Sequence, residues 1–131
     1  MLLLDTCAII FDALDPSRLS HKAATAINQA DSRGTLACSD ISLWELAMLV
    51  AKGRLNPGTD TQTLLQLILT ARNIRIVPIS PEIAAKSAQP DLCPHGDPAD
   101  RIIAATALLT KAKLVTSDKK LAEVSSLTIV W

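Results

Sequence analysis

Four acids in this chain stand at positions where an alternating strand–helix fold would gather them. Leu2-Leu3-Leu4 runs into Asp5 and Thr6, an apolar strand that ends on a carboxylate. Ser42-Leu43-Trp44-Glu45 leads an aliphatic helical segment, and Asp97-Pro98-Ala99-Asp100-Arg101 opens the small-residue run 102–109. Leu114-Val115-Thr116-Ser117-Asp118 repeats the first pattern of strand, hydroxyl and acid. A lone carboxylate is costly to bury unless something pairs with it, and grouped carboxylates raise one another's pKa. The usual resolution is a hard divalent cation with oxygen ligands, Mg²⁺ or Mn²⁺. There is no Cys/His spacing for zinc, no Gly-rich phosphate loop and no G-x-S-x-G elbow.

Each acid also has a purely structural use. Asp5 and Asp118 can cap the helices that follow them. Ser42-x-x-Glu45 before an apolar run has the form of a capping box. Asp97 has the place of an N-cap with Pro98 at the first helical position, and Asp100 then gains from the helix dipole. Arg101 can pair with a nearby acid. One cap at a time needs no chemistry; four acids just after a strand or in the first turn of a helix are the set a single site requires.

The elements that must position them follow from periodicity. Strand-length aliphatic runs occur at 2–4, 35–38, 74–79, 113–116 and 127–130. Helical spacing covers 9–14, 21–31, 42–52, 61–72, 81–88, 98–111 and 119–124. Alternation of this kind predicts an α/β fold, a mostly parallel sheet of about five strands with helices on both faces. Residues 1–131 are expected to form one domain. Ligands of such sheets bind at the carboxyl ends of the strands.

The whole chain narrows the class. Hydrophobic residues make up 49% and charged residues 20%, enough for a packed core and against disorder. No apolar stretch approaches a membrane span, and Met1-Leu2-Leu3-Leu4-Asp5 lacks the basic start of a signal peptide. Cys7, Cys38 and Cys93 show no paired spacing and read as buried free thiols of a cytoplasmic protein. With 13 basic and 13 acidic residues the formal charge is zero, which argues against a non-specific nucleic-acid coat. Lys111, Lys113, Lys119 and Lys120 are grouped in sequence near the last acidic motif. Trp44, inside an apolar helical run, is expected in the core rather than as a stacking platform for bases. His21 and His95 read as ordinary surface or loop residues.

These motifs resemble the PIN-domain nucleases, and most closely the VapC-like toxins of bacterial type II toxin–antitoxin pairs. The likeness runs from Met1 to the last strand, with the motifs in the family's order and spacing. It implies a PIN-like three-layer sandwich, Mg²⁺- or Mn²⁺-dependent endoribonuclease activity, inhibition by a cognate antitoxin, and often a homodimer. Asp5, Glu45, Asp100 and Asp118 match the family's acidic quartet, and Thr6 and Thr116 match hydroxyls that orient it. The metal would then be held by Asp5, Asp100 and Asp118, with Glu45 direct or through water. Asp97 is an additional acid, ranked first as a cap and next as a support behind the others. An aspartyl-phosphate enzyme is disfavoured because Asp5-Thr6-Cys7 supplies no second acid. A catalytically inactive PIN-like binding module and a DNA-cutting nuclease remain as alternatives.

Overall fold

A computed structural model describes residues 1–93 and 96–131. Five strands, β1 (Leu2–Leu4), β2 (Leu36–Ser39), β3 (Arg75–Val77), β4 (Lys113–Val115) and β5 (Ile129–Val130), form one sheet in the order β3-β2-β1-β4-β5. Every pairing is parallel, with Leu3 of β1 opposite Ala37 on one side and Leu114 on the other. The helices are α1 (Thr6–Leu14), α2 (His21–Arg33), α3 (Asp40–Ala51), α4 (Thr61–Ala71), α5 (Pro81–Ser87), α6 (Pro98–Thr110) and α7 (Lys119–Ala122).

Because successive strand residues face opposite ways, β1 divides its leucines between two cores. Leu2 and Leu4 pack with Ala8, Ile9, Ile27, Leu46, Leu64 and Ile68 from α1 to α4. Leu3 packs on the other face with Ile103, Ala104 and Ala107 of α6 and Leu121 of α7. The result is the expected three layers. No helix among the described residues is long and apolar enough to cross a membrane.

Two helix starts differ from the expectation, and both matter for the site. α1 begins directly after β1, because Asp5 accepts the Ala8 amide at 2.7 Å and so caps it at once. α3 begins at Asp40, capped by Ser39, whose hydroxyl accepts from the Ile41 amide at 3.3 Å. Ser42 is therefore inside the helix, and the expected Ser42–Glu45 capping box does not form. β3 stops before Pro78, which has no amide to give to a ladder.

Arg72, at the end of α4, ties that helix to two others. Its guanidinium holds both oxygens of Asp12 on α1, at 3.0 and 2.9 Å, and one oxygen of Asp31 on α2 at 3.1 Å. The Asp12 side chain is only 6% exposed, so removing its partner leaves a carboxylate shielded from water. Arg72→Met is expected to lower stability by about 2 kcal/mol. The measurement is the urea midpoint at constant m, and Arg72→Lys should recover only part because an ammonium lacks the planar fork.

Candidate active site

The sheet order places a topological switch point between β1 and β4. The chain steps from β1 to β2 and β3 in one direction, and reaches β4 and β5 on the other side. At such a point the connections leave in opposite directions and open a crevice at the carboxyl ends. Asp5 follows β1 there, and Thr116 and Asp118 follow β4.

The two strand ends are stitched together. The Asp5 amide donates to the Val115 carbonyl at 3.1 Å, and the Thr116 hydroxyl donates to Asp5 Oδ2. Asp5 Oδ1 already accepts from Ala8, so both of its oxygens are oriented. Thr116 Oγ1 in turn accepts the Asp118 amide at 3.0 Å. Asp118 Oδ1 caps α7 by accepting from the Lys120 amide at 2.8 Å. Capping and clustering are thus one arrangement, because the N-caps of helices that follow parallel strands all lie at the same edge.

Two further helices complete the wall. Glu45, in the second turn of α3, receives the Thr6 hydroxyl on Oε1. Thr6 has one hydroxyl proton, so its 3.0 Å contact with Ser42 Oγ is made as acceptor, and Ser42 braces Thr6. Asp97 caps α6 by accepting the Asp100 amide at 3.2 Å. Asp5, Thr6, Glu45, Asp100 and Asp118 line one cleft of about 280 Å³. Asp97 stands beside the cleft rather than in its lining, as a cap whose charge reaches Asp100 and Glu45.

Crowding leaves an electrostatic signature. Burial, then the charges of Asp118 and Glu45, pushes Asp5 up to about 6 despite the bonds from Thr116 and Ala8. Asp100 rises to about 7, through burial first and then Asp97, Asp118, Glu45 and Asp5. Glu45 is raised by burial, against the Thr6 bond, with Asp97 adding to the rise. The raised values mark a site short of positive charge.

The donor set suits a hard cation, being all carboxylate and hydroxyl oxygen. Among the described residues no three Asp, Glu, His or Cys side chains are arranged to enclose a metal ion as they stand. That is compatible with Mg²⁺, which keeps several waters and takes only one or two protein carboxylates directly. The residues therefore fit a partly hydrated divalent cation rather than a closed cage.

Several expectations need correction. Trp44 is 59% exposed and lines the cleft instead of packing in the core. Cys7 is exposed at the cleft, not buried, and partial burial of its thiol with four nearby carboxylates pushes it to about 11, so it is not a thiolate nucleophile. Beside any pairing with an acid, which stays an expectation, Arg101 donates to backbone carbonyls, from Nε to Ser87 at 2.8 Å, from Nη1 to Cys93 at 3.4 Å and from Nη2 to Gln89, anchoring the segment after α5. The lysines divide: Lys119 and Lys120 adjoin Asp118, while Lys113 begins β4 and with Lys111 lies at the opposite edge of the sheet, beside Lys22 and Arg33. His95 lies outside the described residues. Met48, Leu49, Lys52, Arg54 and Ser117 also line the cleft, and sequence reasoning did not single them out. For Met48 and Lys52 the signal was available, since 44, 48 and 52 share one helical stripe.

Comparison with known proteins decides the family. Residues 2–127 match the PIN domain. The chain belongs to the PIN-domain family. This PIN domain is 40% identical over 120 residues to Ribonuclease VapC22 of Mycobacterium tuberculosis, covering 91% of this chain and 88% of that protein. Its fold is shared with the VapBC2 complex of Rickettsia felis bound to a promoter DNA fragment, at TM-score 0.74, 20% identity, and 98% and 96% coverage of the two chains. FitAcB from Neisseria gonorrhoeae superposes at TM-score 0.68 and 22% identity, over 98% and 96% of the chains.

Proposed function

We propose that this protein is a VapC-type endoribonuclease, the toxin of a toxin–antitoxin pair, and that its acidic cleft hydrolyses RNA phosphodiester bonds. One observation carries the reading: Asp5, Glu45, Asp100 and Asp118 line a single cleft at the switch point, in a chain 40% identical to a VapC ribonuclease. The activity is assigned to one domain of residues 1–131, acting in the cytoplasm. Its partners are RNA, a cognate antitoxin and a second copy of the chain.

When bound, Mg²⁺ or Mn²⁺ lowers the pKa of a neighbouring water and offsets the charge of the phosphate. Asp5, Asp100 and Asp118 would hold it, directly or through its waters, with Thr116 fixing the direction of Asp5. Thr6 occupies Glu45 Oε1, which leaves Oε2 to take the proton of the attacking water. The new P–O bond forms as the bond to the 3′ oxygen breaks, and the proton passes to that leaving oxygen. The products carry 5′-phosphate and 3′-hydroxyl ends.

The test is incubation of structured RNAs, tRNA included, with purified protein in Mg²⁺, Mn²⁺ or EDTA, followed by end-group analysis. Cleavage that needs the metal and leaves 5′-phosphates is expected. Equal cleavage in EDTA, or 2′,3′-cyclic ends, overturns the mechanism; no cleavage by antitoxin-free protein favours the binding module.

A further inference from the structure

The cleft is lined by two unlike sets of side chains, the carboxylates on the one hand and Trp44, Met48, Leu49, Lys52 and Arg54 on the other. Trp44, Met48 and Lys52 recur every fourth residue along α3 and its C-cap, so they form one stripe running about 12 Å from the acids. Lys52 and Arg54 are exposed, and neither makes an ion pair among the described residues.

Trp44 is conspicuous in a chain with two Trp, one Phe and no Tyr. The other two rings pack together, Phe11 against Trp131 at 6.2 Å between centroids, with Arg18 4.3 Å from the Phe11 centroid. Trp44 instead leaves 59% of its surface to water, beside Glu45. An indole so placed has an apolar face to cover, and the cations beyond it attract polyanions. Phosphates are repelled by four carboxylates, so a strand entering this cleft has to be held by side chains other than the acids.

We propose that Trp44 is a stacking platform for an unpaired base of the RNA substrate, with Lys52 and Arg54 taking phosphates of the same strand. The proposal rests on the ribonuclease reading and names the residues that would hold an unpaired base and the phosphates beside it. Every base has a face that stacks on an indole, whereas bases in a duplex present only their edges.

The test uses an Asp5→Asn, Trp131→Phe protein, which does not cut and whose emission comes from Trp44 alone. Titration with a single-stranded RNA oligonucleotide should quench that emission, and the same oligonucleotide annealed to its complement should quench it far less. Trp44→Ala, in the Asp5→Asn background, should weaken binding about 5- to 150-fold, with Trp44→Phe between the two. Lys52→Ala and Arg54→Ala should each lower the salt slope of binding by about one. In the cleaving protein, Trp44→Ala should raise KM more than it lowers kcat.

Unchanged affinity in Trp44→Ala, or equal quenching by duplex, overturns the proposal. So does Trp44→Ala that changes the sedimenting mass but not RNA affinity, which assigns the ring to an interface between copies. If wild type cuts RNA while Trp44→Ala cuts with the same KM and sites, this inference fails and the ribonuclease reading stands. If wild type cuts nothing but Trp44 still binds single strands, the ribonuclease reading fails and this one stands.

Discussion

Asp5→Asn is expected to reduce RNA cleavage by about 100-fold or more while making the metal-free protein more stable at pH 7.5. The loss follows because an amide neither holds a divalent cation as a carboxylate does nor offsets its charge. The gain follows from the position of Asp5, which is buried at the meeting of β1 and β4 with its pKa pushed to about 6. Asparagine can keep the cap, accepting the Ala8 amide on Oδ1, and its amide can donate to Thr116 Oγ1. Thr116 must then turn its own proton elsewhere, and that cost limits the gain to about 1–2 kcal/mol. Activity assays and thermal melts in EDTA on one preparation decide the matter. Retained activity removes Asp5 from the site. Lost activity with a melting temperature well below wild type reduces the result to unfolding.

The second large effect is in the pH dependence of the metal-free protein. The folded pKa values of Asp5 and Asp100, about 6 and about 7, lie above the unfolded value of 3.8. Between those values the native state binds more protons than the unfolded chain, so stability falls as pH rises. The contribution is fully present below pH 3.8 and lost through the folded pKa values, so the fall spans about pH 4 to 8. For Asp5, nearly enclosed by protein, it amounts to at most about 3 kcal/mol. Millimolar Mg²⁺ or Mn²⁺ competes with those protons and should raise the melting temperature much more at pH 8 than at pH 5. Calorimetry of wild type and Asp5→Asn in EDTA, then in Mg²⁺, checks both parts. A wild-type curve that rises over this interval relative to the variant, or an equal metal increment at both pH values, contradicts the reading.

The sequence determined the scaffold because its signals are local. Leu2–Leu4, Lys113–Thr116 and the other aliphatic runs announce buried parallel strands, and an acid directly after such a run comes to rest at the carboxyl edge. Asp5 and Asp118 follow such runs directly, whereas Asp100 is placed by the helix start at Asp97-Pro98. The choice between cap and catalytic acid was artificial: Asp5 and Asp118 cap helices at the edge where the cleft opens.

Tertiary structure decided what depends on how elements are covered. The Ser42–Glu45 spacing reads as a capping box, yet Ser39 leaves β2 already placed to cap α3, so Glu45 is freed for the cleft. Trp44 belongs to a helix apolar on nearly every side, and periodicity cannot say which side meets the sheet. Burial of Leu46 in the core chose that side and left Trp44 on the rim. Arg72 finds carboxylates 60 and 41 residues away, which no local pattern encodes. Local propensity specifies an element; only the assembled layers specify which of its faces meets water.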